Sequence, residues 1–82
     1  MPIFYFNLYN DFITIDDEGV ELADLAAAEA QARTAASRII AELIAAGGQM
    51  NPHHRIEVEN EQREIVLTLP FSDLVEQGAG DD

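Results

Sequence analysis

The apolar spacing of this chain changes period once, and the change is abrupt. Up to Ile15 the side chains follow the two-residue rhythm of extended backbone, whereas from Leu25 the apolar residues recur at intervals of three and four. The switch falls across Asp16-Asp17-Glu18-Gly19-Val20-Glu21-Leu22-Ala23-Asp24. A chain of 82 residues holds one small domain. A domain that begins as sheet and continues as a single long helix must lay that helix on the sheet for either to bury its apolar side.

In residues 3–9, Phe4, Phe6 and Leu8 share one face of a strand while Ile3, Tyr5, Asn7 and Tyr9 share the other. Asn10-Asp11 is a turn dipeptide, because both side chains tolerate left-handed backbone and bond their own main chain. Phe12-Ile13-Thr14-Ile15 is extended again, which predicts a first β-hairpin. Gly19 permits the backbone conformation that swings the chain from sheet to helix, and Asp24 stands where a carboxylate accepts from the free amides of a first helical turn.

The spacing predicts a helix from there to about Ala46, with Leu25, Ala28, Ala32, Ala35, Ala36, Ile39 and Leu43 toward the sheet. Alanine in the first half of that stripe lets the axis approach closely, and Ile39, Ile40, Leu43 and Ile44 supply bulk in the second. Gly47-Gly48 gives a left-handed stop, and the segment from Gln49 to His54, which contains Pro52, does not continue a helix. Ile56 and Val58 alternate with Glu57 and Glu59, and the run at residues 65–69 follows Asn60-Glu61-Gln62-Arg63, so a second hairpin is expected. Pro70 removes a ladder donor and closes the last strand, Phe71 returns to the core, and residues 72–76 add one helical turn.

The expected fold is therefore α+β: β-hairpin, helix, β-hairpin, a four-stranded antiparallel sheet with one helix packed on one face. Residues 1–76 form a single β-β-α-β-β domain, and residues 77–82 form a flexible acidic tail. One helix covers one face only. The other carries Ile3, Tyr5, Tyr9, Ile13 or Ile15, Val66 and Thr68, a mixture apolar enough to predict an association surface, most simply a two-fold homodimer.

Charge narrows the partners. The chain has 16 acidic residues against four arginines, no lysine, and a net charge of -12. Residues 11–24 hold Asp11, Asp16, Asp17, Glu18, Glu21 and Asp24 without a base. A phosphate backbone or an anionic bilayer requires cations that this chain lacks, so direct nucleic-acid and membrane binding are disfavoured and a basic protein is the permitted partner. Asp16, Asp17, Glu18 and Glu21, with Tyr5 and Tyr9, are the candidate interaction residues, while Gly19, Asp24, Pro70 and Phe71 are assigned to the fold. With no cysteine, disulfides and thiolate metal sites are excluded, which is compatible with a cytoplasmic location. The start, Met1-Pro2-Ile3-Phe4-Tyr5-Phe6, lacks a basic leader and is read as strand.

Catalytic equipment is sparse, and the expectation is that the protein is not an enzyme. Asp16-Asp17-Glu18-Gly19 invites a calcium-loop reading, but setting Gly19 at the sixth loop position puts Thr14 at the first and Leu25 at the twelfth, where carboxylates are required. His53 and His54 are adjacent, point oppositely in extended backbone and lack a matching ligand, so they are read as loop histidines and no metal or cofactor is predicted. Neither thiolate nor amine nucleophiles exist, Ser37 and Ser72 have no nucleophile elbow around them, and Gly47-Gly48 ends a helix rather than opening one on a phosphate.

The order of an aromatic strand with Tyr5-Phe6, the D-x-E-G-x-E-L turn from Asp16 to Leu22, the cap at Asp24, and Ile56, Val58, Leu67-Thr68, Pro70 and Phe71 resembles a family of small alphaproteobacterial domains of unknown function. The likeness runs from residue 2 to about residue 75 and implies a bacterial, stand-alone domain with no activity to carry over. The chain departs from that pattern at Asn7, Ala23 and Gln62, where members often carry histidine, proline and glycine; a histidine so replaced argues against a catalytic role for its position. Over residues 3 to about 46 the layout also looks like that of antitoxin domains with a partial ribonuclease-H-like fold, a likeness at fold level that supplies an alternative: an acidic inhibitor covering a basic nuclease site.

Overall fold

The computed structural model describes residues 1–48 and 53–74. The expected break around Pro52, the end of the last helical turn at Val75 and Glu76, and the acidic tail 77–82 lie outside the described residues. Among the described residues six elements follow in order: β1 (Ile3–Tyr9), β2 (Ile13–Thr14), β3 (Val20–Glu21), α1 (Leu25–Ala45), β4 (Arg55–Glu59) and β5 (Ile65–Pro70). All pairings are antiparallel, and the sheet runs β2-β1-β4-β5 with β3 also on β1. The class, the two hairpins and the helix on one face are those the sequence predicts.

The first hairpin differs in detail. Its second strand is only Ile13–Thr14, and Val20–Glu21 returns to β1 farther along, with Leu8 opposite Thr14 and Phe4 opposite Val20. Because β4 occupies the other edge of β1, β2 and β3 are two pieces of one interrupted outer strand, separated by the acidic turn. Period-two spacing identifies extended backbone but not which extended residues find a ladder partner.

Register fixes the core. Phe6 lies opposite Val58 and Leu8 opposite Ile56 across β1 and β4, and Leu67 and Leu69 continue those rows on β5. Against this face α1 presents Ala28, Ala32, Ala36 and Ile40, the three alanines having no exposed surface. Their four-residue spacing traces a ridge inclined to the helix axis, so the helix seats closely on alanine and fills with Ile40. Leu25, three residues before Ala28, falls off the ridge and is 43% exposed, while Ile44, the next residue along it, stays exposed beside Leu74. The buried stripe is thus shorter than the apolar spacing predicts.

The helix ends are chemically closed. Asp24, in extended backbone, accepts from Ala27 N at 2.9 Å. At the other end Gly47 takes a φ of 78°, Gly48 N donates to Leu43 O (2.9 Å) and Gly47 N to Ile44 O (3.0 Å), the paired bonds of a left-handed helix stop.

A register shift where β4 and β5 meet at Val58/Glu59 places Glu59 opposite Ile65 rather than Val66. The extra residue turns Val66 to the core and leaves Ile65 exposed, so Ile65 and not Val66 takes the place expected on the open face. After Pro70, residues 71–74 make one helical turn that drives Phe71 fully into the core.

Candidate interaction surface

The acidic turn is built around Asp16. Where residues 15–19 leave the ladder, the amide of Phe6 has no strand carbonyl opposite, and Asp16 Oδ2 takes that place at 3.0 Å. Its Oδ1 accepts from Glu18 N (3.0 Å) and Gly19 N (3.1 Å), and its own amide donates to Asn7 Oδ1 (2.9 Å). Burial alone pushes the carboxyl upward, but the amides of Phe6, Gly19 and Glu18, with the charge of Arg63, outweigh it and hold Asp16 below its ordinary value. Of the four carboxylates assigned to interaction, Asp16 is thus engaged by the main chain, while Asp17, Glu18 and Glu21 stand exposed.

Asp16→Asn leaves one carbonyl oxygen to serve three donors, so it should lower stability by about 2 kcal/mol, measured by urea unfolding at neutral pH. The wild-type contribution has a definite sign with pH. It is complete above 3.8, the ordinary aspartate value, and is lost as pH falls through the lower folded-state pKa. The difference between wild type and Asp16→Asn should accordingly shrink in acid and stay constant from pH 5 upward.

On the open face, Tyr5 lies opposite Glu59, Asn7 opposite Glu57, and Tyr9 opposite Arg55. Both tyrosines are roofed by cations. The Arg63 guanidinium sits 3.8 Å from the Tyr5 ring centre and that of Arg55 4.2 Å from the Tyr9 ring centre. Arg55 Nε donates to Glu57 Oε2 (2.8 Å); Arg63 Nε lies 2.9 Å from Glu59 Oε1 without hydrogen-bond alignment. Arg63 also donates to Asp16 O at 3.1 Å, tying the second hairpin to the acidic turn. It does so from left-handed backbone (φ 65°), a conformation that costs a non-glycine residue about 1 kcal/mol and that its three side-chain contacts offset.

The expected apolar face is therefore a Tyr–Arg–Glu surface whose apolar residues lie on its rims: Ile13 (68% exposed) beside Tyr9, Ile15, and Ile65 (56%) beside Glu59. Asn7, at the middle, is buried, and its Nδ2 has no hydrogen-bond partner among the described residues. Nothing in a period-two pattern distinguishes such a residue from a solvated one. His54 likewise proves to be a core residue, 1% exposed, with Nε2 3.3 Å from Asp11 Oδ1 and its ring edge-on to Phe71. His53 remains exposed.

Among the described residues no three His, Asp or Glu side chains converge as metal ligands, and no helix is long and apolar enough to cross a membrane. An open groove of ≈ 530 Å³ along the helix is lined by Ala27, Ala30, Gln31, Thr34, Ala35 and Arg38, which include no general base.

Residues 3–72, from the first residue of β1 to the turn after β5, match the family model described as a domain of unknown function, DUF6894. The chain belongs to the DUF6894 family. No curated protein and no solved structure matches it. The DUF6894 match takes in both hairpins, the helix, Asp16 and both Tyr–Arg stacks, so the interrupted edge and the open face both lie within the matched span of this DUF6894 domain.

Proposed function

We propose that this DUF6894 domain is a non-enzymatic protein-interaction module of the cytoplasm that pairs with a second copy through its open sheet face. One observation carries the reading: in a chain of net charge -12, this face is balanced, with Arg55 and Arg63 against Glu57 and Glu59. Two copies repel through most of their surface, and here they do not. Tyrosine and arginine are also the residue types that carry interface energy, and the exposed isoleucines on both rims gain from burial. A two-fold axis crossing the strands at Asn7 sets the Tyr5–Arg63–Glu59 group of one copy against the Tyr9–Arg55–Glu57 group of the other.

Light scattering on an eluting size-exclusion peak tests this. The expected mass is twice 9.0 kDa, returning toward 9.0 kDa for Ile65→Glu, a change at an exposed rim position that leaves the core intact. A mass near 9.0 kDa that does not rise with concentration removes the proposal.

A separate observation favours a second reading. The exposed carboxylates of Asp17, Glu18 and Glu21 lie along one edge in a segment without a basic residue, which suits a basic partner, as for an inhibitor that covers a cationic nuclease site.

A further inference from the structure

We infer that the outer edge of the first hairpin, residues 12–15, accepts an extended segment of a partner protein in which basic and apolar residues alternate, added as a strand beside β2. The inference rests on the acidic-edge reading and gives it a binding mode. β2 is one of the two terminal strands of the sheet, and among the described residues it pairs with β1 alone. Around it the fold leaves Phe12 78% exposed, Ile13 68% and Ile15 45%, three large apolar side chains in four residues that the core does not use. An outermost strand with apolar side chains is a template for strand addition, in which main-chain bonds give affinity and alternate side chains give selectivity.

Charge selects the occupant. Asp17 and Glu18 follow the segment, Glu21 lies on β3 along the same edge, and residues 11–24 contain no base; Asp11, before the segment, is engaged with His54. The two arginines of the open face are committed elsewhere, Arg63 to Asp16 O, Glu59 and the Tyr5 ring, and Arg55 to Glu57, His53 O and the Tyr9 ring. A second copy of this chain would set carboxylates against carboxylates here, whereas an incoming strand that alternates apolar residues with lysine or arginine turns its apolar residues toward Ile13 and Ile15 and brings cations, on long side chains, into the negative field of the carboxylates that flank the segment. The Asp16 carboxylate closes the inner side at Phe6 N, and Phe12 is occupied within the turn, its N–H donating to Asn10 Oδ1 and its carbonyl accepting from Asn10 N. The Phe6 and Leu8 amides point to this edge, so Thr14, opposite Leu8, faces β1 and the outward main-chain groups are those of Ile13 and Ile15.

The probe is a synthetic octapeptide of alternating lysine and valine, titrated into the full chain with fluorescence anisotropy and amide-shift mapping. Binding is expected with shifts centred on Phe12 to Ile15 and the exposed acids, and not on Tyr5 or Tyr9. The same peptide with alternate backbone amides N-methylated, which keeps every charge but removes edge donors, should bind about tenfold more weakly or worse. Ile13→Thr should weaken binding while leaving the melting temperature near that of wild type, since Ile13 is exposed. Equal affinity for the methylated peptide, or shifts confined to the acids, overturns strand addition while sparing the electrostatic reading. Failure of the unmodified peptide to bind at low ionic strength overturns both.

Discussion

Gly19→Val is expected to lower stability by about 3–5 kcal/mol, from left-handed strain on a β-branched residue and from overpacking. Gly19 has a φ of 75°, which excludes valine on conformational grounds before any contact is considered. A Cβ there would also lie 2.6 Å from Ile3 Cγ2 and 3.0 Å from Tyr5 Cε1. Ile3 is β-branched, so its γ-methyl retreats only by leaving its χ1 well or by shifting β1, which is held in register with β3. The same substitution displaces the amide that Gly19 donates to Asp16 Oδ1, so strain, clash and a lost charge-assisted bond act together. A domain of this length has a total stability of roughly 4–12 kcal/mol, and the variant should be partly unfolded at 25 °C by circular dichroism. Gly19→Ala shares the strain and the Cβ contacts but lacks the γ-methyls, and should fall between wild type and valine. A valine variant that melts with wild type would show that the turn has another backbone solution.

The second large effect is expected from Phe71→Ala, at about 3–5 kcal/mol, the usual cost of emptying an aromatic core position. Phe71 has no exposed surface and is among the largest fully buried side chains of the domain. Its backbone amide donates to His54 O at 3.0 Å, a bond the variant keeps, so the loss isolates the ring. That ring is the edge-on neighbour of His54, which is itself enclosed, and removing it leaves an imidazole next to a void. Phe71→Leu refills most of the volume and should cost under about 1.5 kcal/mol. Urea midpoints for the pair, with unchanged slopes, would separate the cavity from any wider loosening of the fold.

Phe71 is legible from sequence because Pro70 ends a strand immediately before it and leaves an aromatic side chain with nowhere else to go. The α+β class, the hairpins and the helix are legible for a related reason: their apolar periods differ, and one helix and one amphipathic sheet have a single way to cover each other. Features set by partners distant in sequence are not legible. Asn7 reads as one polar position on an open face, yet it is buried because Asp16 N reaches its Oδ1. Tyr5 and Tyr9 read as apolar surface, yet Arg63 and Arg55 roof them from another hairpin. Asp16 and Asp17 are indistinguishable as letters; only the two-residue offset between the registers of β2 and β3 decides which one faces the ladder. His54 follows the same rule, since its burial depends on Phe71 and on the turn at Asp11.

That offset also governs how this edge of the sheet meets other copies of the chain. A flat, unbroken edge strand can seed a fibril, each added chain becoming the template for the next. Here the edge is cut by the acidic turn after Thr14 and resumes out of step at Val20, so an incoming strand that follows β2 loses its match before it reaches β3. The edge has room for a short visitor but offers no register along which a polymer could propagate, and the carboxylates beside the cut repel the next identical chain before it aligns.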